Sequence, residues 1–134
     1  MIKHQIFILC LCAAVLTIGC NRGFERCSVE GKVTWQGKPL DGAYVGLRPA
    51  SGPGTGAETN AEGVFLINQP NGPMPGHCEF YVVKTQKVPV KDSSGRTADE
   101  ERSMIPDKFS QKPKTIELKS GKNQIDLNLD QWDE

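Results

Sequence analysis

Apolar and polar residues alternate along much of the chain after residue 26, which is the pattern of half-buried β-strands. In the first such segment Val29, Val33 and Trp35 fall on one side of the strand, and Glu30 and Lys32 fall on the other. The alternation recurs at residues 43–48, 64–67, 78–84, 116–119 and 125–130. Turn-forming residues separate these segments, and no stretch is long enough for a stable amphipathic helix. The pattern predicts an all-β fold, an antiparallel β-sandwich of about seven strands.

One stretch of the chain lacks sustained alternation. Residues 86–113 are mostly polar and carry charges of both signs. We predict a long polar loop there, which is either functional or mobile. Within it residues 97–104 could form two turns of helix.

An apolar run near the N-terminus has the order of features of a signal peptide. Lys3 precedes the run at residues 6–18, and Gly19 and Cys20 end it. A helix of about 13 residues spans about 20 Å, which is too short for a hydrocarbon core of about 30 Å. We therefore predict a signal peptide over residues 1–19 and no permanent transmembrane helix.

The end of this run, Leu-Thr-Ile-Gly-Cys at residues 16–20, resembles the lipobox of bacterial lipoproteins. The resemblance implies that Cys20 becomes the lipid-modified N-terminus, and two acyl chains suffice for stable membrane anchoring. Asn21 is not the acidic residue that some bacteria use as an inner-membrane retention signal, which favours the outer membrane. The alternative is ordinary secretion, with cleavage near Ala13 or Gly19 and a free thiol at Cys20.

Length and charge limit the functions that the chain can have. Its 134 residues suit one small domain, and its 16 basic side chains equal its 16 acidic ones. Removal of the signal peptide takes away only Lys3 and leaves 15 basic and 16 acidic side chains. We therefore expect no nucleic-acid partner. The predicted organisation is a signal peptide (1–19), a lipidated linker (20–26), a sandwich domain (27–130) and a C-terminal tail (131–134).

The cysteines suggest one disulfide. Of the five in the sequence, Cys10 and Cys12 leave with the signal peptide and Cys20 carries the lipid. Cys27 and Cys78 remain, and an exported protein enters a compartment in which disulfides persist. We expect these two to pair, and the alternative is that both are buried free thiols.

Several motifs resemble those of carboxypeptidase regulatory-like domains. Residues 29–34 (Val-Glu-Gly-Lys-Val-Thr) and 37–43 (Gly-Lys-Pro-Leu-Asp-Gly-Ala) resemble the opening of such domains. Residues 59–65 match the family's Thr-Asp-x-x-Gly-x-Phe hairpin, with Asn60 in place of Asp, and residues 75–82 match its Pro-Gly-x-Tyr-x-Val-x-Val strand, with Cys78 in the aromatic position. Residues 105–109 and 121–123 resemble features of short bacterial lipoproteins built around this domain. The resemblance implies a transthyretin-like Greek-key β-sandwich.

The family resemblance implies a non-catalytic domain, so we predict no enzymatic activity, no metal and no cofactor. The expected function is a membrane-anchored binding or structural module of the cell envelope, with a protein or glycan of the envelope as partner. The alternative is an envelope-anchored carrier of a small sugar or apolar ligand. Three aromatic residues, Tyr44, Tyr81 and Trp132, are the candidates for a ligand-binding surface, unless each only covers surface by itself.

Overall fold

Two β-sheets packed face to face and a two-stranded arm make up residues 25–134, the part of the chain that the computed structural model describes. The predicted signal peptide and Cys20 lie outside the described residues. The strands are β1 (Ser28–Trp35), β2 (Lys38–Pro39), β3 (Tyr44–Pro49), β4 (Thr55–Glu58), β5 (Val64–Ile67), β6 (Gly76–Val83), β7 (Thr85–Lys91), β8 (Thr97–Ser103), β9 (Lys114–Leu118), β10 (Lys122–Gln124) and β11 (Leu127–Asn128). One short helix, α1 (Lys108–Gln111), precedes β9, and single 3-10 turns lie at Gln69–Asn71 and Leu129–Gln131.

The first sheet is built around β1. Strands β10 and β11 pair with it in parallel on one side, and β5 and β2 pair with it in antiparallel orientation on the other. Val29, Gly31 and Val33 face inward and are buried. Gly31 has to be glycine because a Cβ at this position would overlap the carbonyl oxygen of Ile125.

The second sheet is fully antiparallel, in the order β4-β3-β6-β9. Its inner face carries alternate residues of β3 and β6, and these face the inner side of the first sheet. Together the two faces form one core, whose largest fully buried side chains include Phe65, Phe80, Phe109, Leu47 and Leu129. The predicted all-β sandwich is therefore confirmed, but the described residues form eleven strands and not about seven, because the segments expected to be loops or turns contain further short strands and the arm. The first sheet is mixed, because the C-terminal segment runs parallel to β1.

Residues 86–113 are not the long loop that the sequence predicts. Strands β7 and β8 pair over seven residue pairs and form an arm, and α1 follows it. The proposed helix at residues 97–104 is wrong, since Thr97–Ser103 is a strand. These two strands show no sustained alternation of apolar and polar residues. All residues of β8 are exposed, and in β7 only Val88 and Val90 are half-buried. With solvent on both faces, a strand needs no apolar row.

Two outward-facing aspartates hold the C-terminal segment against β1. Where pairing lapses between β10 and β11, Asp126 accepts a hydrogen bond from Lys32 N (3.0 Å). Asp130 accepts hydrogen bonds from Gln36 N (3.0 Å) and Gly37 N (3.2 Å) in the turn after β1. Gln36 is strained in that turn, because its φ of 53° is unfavourable for a residue with a side chain, whereas Gly37 adopts its φ of 73° without such a cost. Both carboxylates therefore take the place of a missing backbone partner.

The described residues contain no helix long and apolar enough to span a membrane.

Replacing Asp130 with alanine should lower the free energy of unfolding by about 1 kcal/mol, because two backbone N–H groups lose a charged acceptor and bond to water instead. Urea unfolding of the Asp130→Ala variant measures the loss. Asp99→Ala removes a comparable carboxylate from the exposed strand β8 and should change stability by less than about 0.5 kcal/mol. Equal effects of the two substitutions would contradict the role given to Asp130.

The arm should lose order at its tip in acid. Asp92 Oδ1 accepts hydrogen bonds from the Ser94 hydroxyl (2.6 Å), Ser94 N (2.9 Å) and Arg96 N (2.9 Å), and these bonds lower the pKa of Asp92. A depressed pKa in the folded state stabilises the tip above the ordinary carboxyl pKa, and this contribution disappears as pH falls through the depressed value. Amide chemical shifts of Ser94 and Arg96 should move together toward random-coil values in that range. In an Asp92→Asn variant the same shifts should not respond to pH.

Candidate functional site

The outer face of the second sheet brings together two of the three predicted aromatic residues. Tyr44 pairs with Val83, and Gly46 pairs with Tyr81, so both tyrosines lie on the same face of neighbouring strands. Their ring centroids are 6.3 Å apart and the ring planes are tilted by 54°. This geometry is within the range of favourable aromatic pairs. We call this surface the tyrosine face.

Glycines beneath the rings allow the tyrosines to lie close to the sheet. A Cβ at Gly46 would overlap the ring of Tyr81, and a Cβ at Gly56 would overlap the hydroxyl end of Tyr44. Gly46 and Gly56 are directly paired on β3 and β4. The rings therefore cover backbone that no side chain shields, and Tyr44 still exposes 39% of its surface.

Charged groups continue the tyrosine face along β3 and β6. The guanidinium carbon of Arg48 lies 4.8 Å from the centroid of the Tyr81 ring. Arg48 also faces its cross-strand partner Glu79, with Nε 3.9 Å from Oε2. About half of each charged side chain is exposed, so this ion pair is weak and both groups are accessible to a ligand.

A surface cavity of about 330 Å³ lies next to this charged pair. Arg48, His77, Glu79 and Thr115 line it with polar groups, and Pro49 and Ala50 add apolar surface. Tyr44 and Arg48 are four residues apart on β3, which corresponds to about 14 Å of strand. The tyrosine face and the cavity thus form one continuous track, with aromatic rings at one end and hydrogen-bonding groups at the other.

Trp132, the third candidate, belongs to the core. It is only 5% exposed, and its ring meets Phe109 edge to face at a centroid distance of 5.6 Å. Its indole N–H donates to the Lys112 carbonyl oxygen (2.8 Å). Packing on α1 and a satisfied N–H explain why the prediction of a ligand-binding role is wrong for this residue.

The predicted disulfide is absent as well. Cys27 and Cys78 are both free thiols with almost no exposed surface. Cys27 Sγ donates to the Pro73 carbonyl oxygen (3.2 Å), and Cys78 packs in the core with Phe80 and Val82. Each cysteine therefore acts as a small buried apolar residue, which is the alternative that the sequence left open.

Neither thiol is set up as a nucleophile. Burial raises the pKa of the Cys78 thiol from 9.0 to about 12, and nearby Cys27 adds to the effect. Burial also raises the pKa of Cys27. His77 precedes Cys78 on the same strand, but neighbouring strand residues point to opposite faces, and His77 is exposed on the outer face. The imidazole therefore cannot take the proton of this thiol.

Within residues 25–134, no three His, Cys, Asp or Glu side chains come together in a group that could hold a metal ion.

Sequence reasoning missed Arg48 and Glu79 as partners of the tyrosines. Each lies on an outward row of its strand, so alternation alone identifies both as surface residues. Alternation places Glu79 next to Tyr81 on the outward row of β6, but only the pairing register of β3 with β6 places Arg48 beside them, and the sequence contains no signal for that register.

Similarity to known proteins is found among solved structures. No family model matches the chain, and no curated protein matches it. Among solved structures, a DUF3823 family protein from Parabacteroides merdae is similar, with 16% sequence identity and a TM-score of 0.43. The match covers 79% of this chain and 46% of that one, so this chain spans less than half the length of that structure.

Iodoacetamide should label neither Cys27 nor Cys78 in the native protein at pH 8, because both thiols are buried and protonated. In urea, without any reductant, both should be labelled, and mass spectrometry of peptides would count the adducts. A disulfide would instead leave both cysteines unlabelled in urea until reductant is added.

Proposed function

We propose that this protein is a lipid-anchored, non-enzymatic binding module of the bacterial cell envelope, and that the tyrosine face binds a glycan. The observation that carries this proposal is the track formed by Tyr44, Tyr81 and Arg48 with the adjoining cavity. The inner face of the same sheet packs in the core, so β3 and β6 can contact a partner only through this outer face.

The chemistry of the track suits a sugar. A pyranose ring has an apolar face of C–H groups, which can stack on an exposed aromatic ring such as that of Tyr44. Its hydroxyl groups can bond to Arg48, Glu79 and His77 around the cavity. A cavity of about 330 Å³ is at the small end of the range for ligand pockets, and a track of about 14 Å suits a short oligosaccharide.

Binding without chemical turnover is supported by the state of the cysteines. The raised pKa of Cys78 keeps the thiol protonated, and strand alternation separates it from His77. The anchor and the envelope location rest on the lipobox-like residues 16–20 and on the acylation expected at Cys20.

We also propose that the domain is of the carboxypeptidase regulatory-like kind. Residues of the matching hairpin motif have structural roles that explain the pattern. Thr59 Oγ1 accepts from Ala43 N (2.9 Å) and donates to the Leu40 carbonyl oxygen (2.5 Å). Asn60 Oδ1 accepts from Val64 N (2.9 Å), as the Asp of the family motif would, and Gly63 takes a φ of 75°. Phe65 fills the core.

Soluble fragments of peptidoglycan, the glycan that an envelope protein meets, should bind the tyrosine face. In NMR titrations, amide shifts of β3 and β6 should move upon addition of the fragments. Tyr44→Ala should weaken binding about 30-fold, the usual effect of removing an aromatic anchor, and Arg48→Gln should weaken it less. Tyr81→Phe keeps the ring that covers Gly46 and removes only the hydroxyl group. This variant therefore tests the hydroxyl group of Tyr81 separately from the packing of its ring.

Leu66→Ala is the matched control, because Leu66 is 52% exposed on the outer face of the other sheet. It should leave affinity unchanged. Shifts that are confined to the first sheet, or equal losses in the Tyr44 and Leu66 variants, would refute the assignment of the binding face.

A further inference from the structure

The two ends of the sandwich differ in charge and in their distance from the point at which the chain enters the domain. The chain enters the domain at the end where Cys27 N donates to the Pro73 carbonyl oxygen (3.0 Å) and Ser28 N donates to that of Gly121 (2.8 Å). The loops at residues 50–54, 68–75 and 119–121 surround this entry point. We call this the anchor end.

Basic side chains surround the anchor end. Arg26 precedes β1, Lys119 lies in the turn after β9, and Lys122 pairs with Ser28. None of the three loops contains an Asp or Glu, and Glu25 is the one acidic residue of residues 25–28. Glu30 and Glu117 lie on the outer faces of the sheets, along β1 and β9.

The opposite end of the sandwich is acidic. Its turns hold Asp41, Glu62 and Asp130, and Glu58 ends β4 there, whereas the basic residues Lys38 in β2 and Lys84 between β6 and β7 are fewer. The arm also leaves from this end, because β6 starts at Gly76 beside the anchor end and runs to Val83, where β7 follows. The end at which the chain enters is thus richer in basic side chains, and the opposite end is richer in acidic ones.

A shallow surface cavity of about 430 Å³ lies at the anchor end. Met74, Pro53 and Gly52 contribute apolar surface to it, and Arg26 and Ser51 contribute polar groups. Arg26 is six positions after Cys20, which is a reach of at most about 21 Å. A lipid on Cys20 would hold this end within that distance of the bilayer.

We propose that the anchor end is a docking surface for an anionic phospholipid bilayer, a proposal that rests on the proposed lipid anchor. Arg26, Lys119 and Lys122 meet headgroup phosphates, and Met74 and Pro53 contact the interface between headgroups and acyl chains. Basic side chains near an anionic surface each strengthen binding, and the acidic end is repelled from it. Docking points the arm away from the membrane and leaves Tyr44, at the far end of β3, open to ligand. The cavity beside Pro49 and Ala50, at the other end of the track, then lies next to the docked end.

The test uses the full lipoprotein in nanodiscs of phosphatidylcholine containing about one third phosphatidylglycerol, with a spin label on lipid headgroups. Amide signals of residues 50–54, 73–75 and 119–122 should broaden, and those of the arm tip at residues 92–96 should not. Lys119→Glu with Lys122→Glu should abolish the broadening. The matched control is Lys87→Glu with Lys91→Glu, which makes the same charge change on the exposed arm and should leave the broadening intact.

A second measurement separates docking from anchoring. In a Cys20→Ser chain without lipid, flotation with the same vesicles should show binding that falls about tenfold or more in the Lys119, Lys122 double variant. Absence of broadening in a protein that remains on the nanodisc would overturn docking and leave the anchor in place. An intact mass without acyl groups would refute the anchor, and flotation of that protein would then decide docking by itself, binding supporting it and no binding overturning it.

Discussion

The pairing of the C-terminal segment with β1 is the interaction on which the rest of the sandwich depends. Strand β1 is the centre of the first sheet, and β10 and β11 cover one of its edges along almost its full length. This pairing joins residues about 94 positions apart in sequence, so its formation closes a loop that contains most of the domain. Two features stabilise this pairing. The backbone of Ile125 lies close against Gly31, and Asp126 and Asp130 accept hydrogen bonds from backbone N–H groups where strand hydrogen bonds are missing.

The sequence predicts the sandwich well because its strands have one wet and one dry face. Val29, Val33, Phe80 and Val82 are all buried on the row that alternation assigns to the core. The arm could not be predicted in this way, because Asp99 and its neighbours in β8 face water on both sides. Parallel pairing of β10 with β1 was also invisible, since the direction of a neighbouring strand leaves no mark on the alternation of either one.

The candidate site shows the same limits. Alternation places Tyr44 and Tyr81 on outward rows, and the structure brings them together. Trp132 follows the last predicted strand, so alternation cannot assign it to an inward or an outward row. Its packing on Phe109 also depends on a helix, α1, that the sequence pattern does not predict. The prediction of a disulfide is wrong for another reason. The number of cysteines in an oxidising compartment indicates that two can pair, but the core accommodates both Cys27 and Cys78 as apolar side chains.

The arm adds no buried side chain to the core, because its two strands pack chiefly against each other and only Val88 and Val90 are half-buried. Its sequence is therefore under almost no constraint from the stability of the sandwich. Changes in its length, charge or tip would be tolerated by folding and filtered only by function. Among relatives of this protein, the arm is the segment in which we expect insertions, deletions and rapid divergence to accumulate, whereas Gly31 and the turn after β1 should remain fixed.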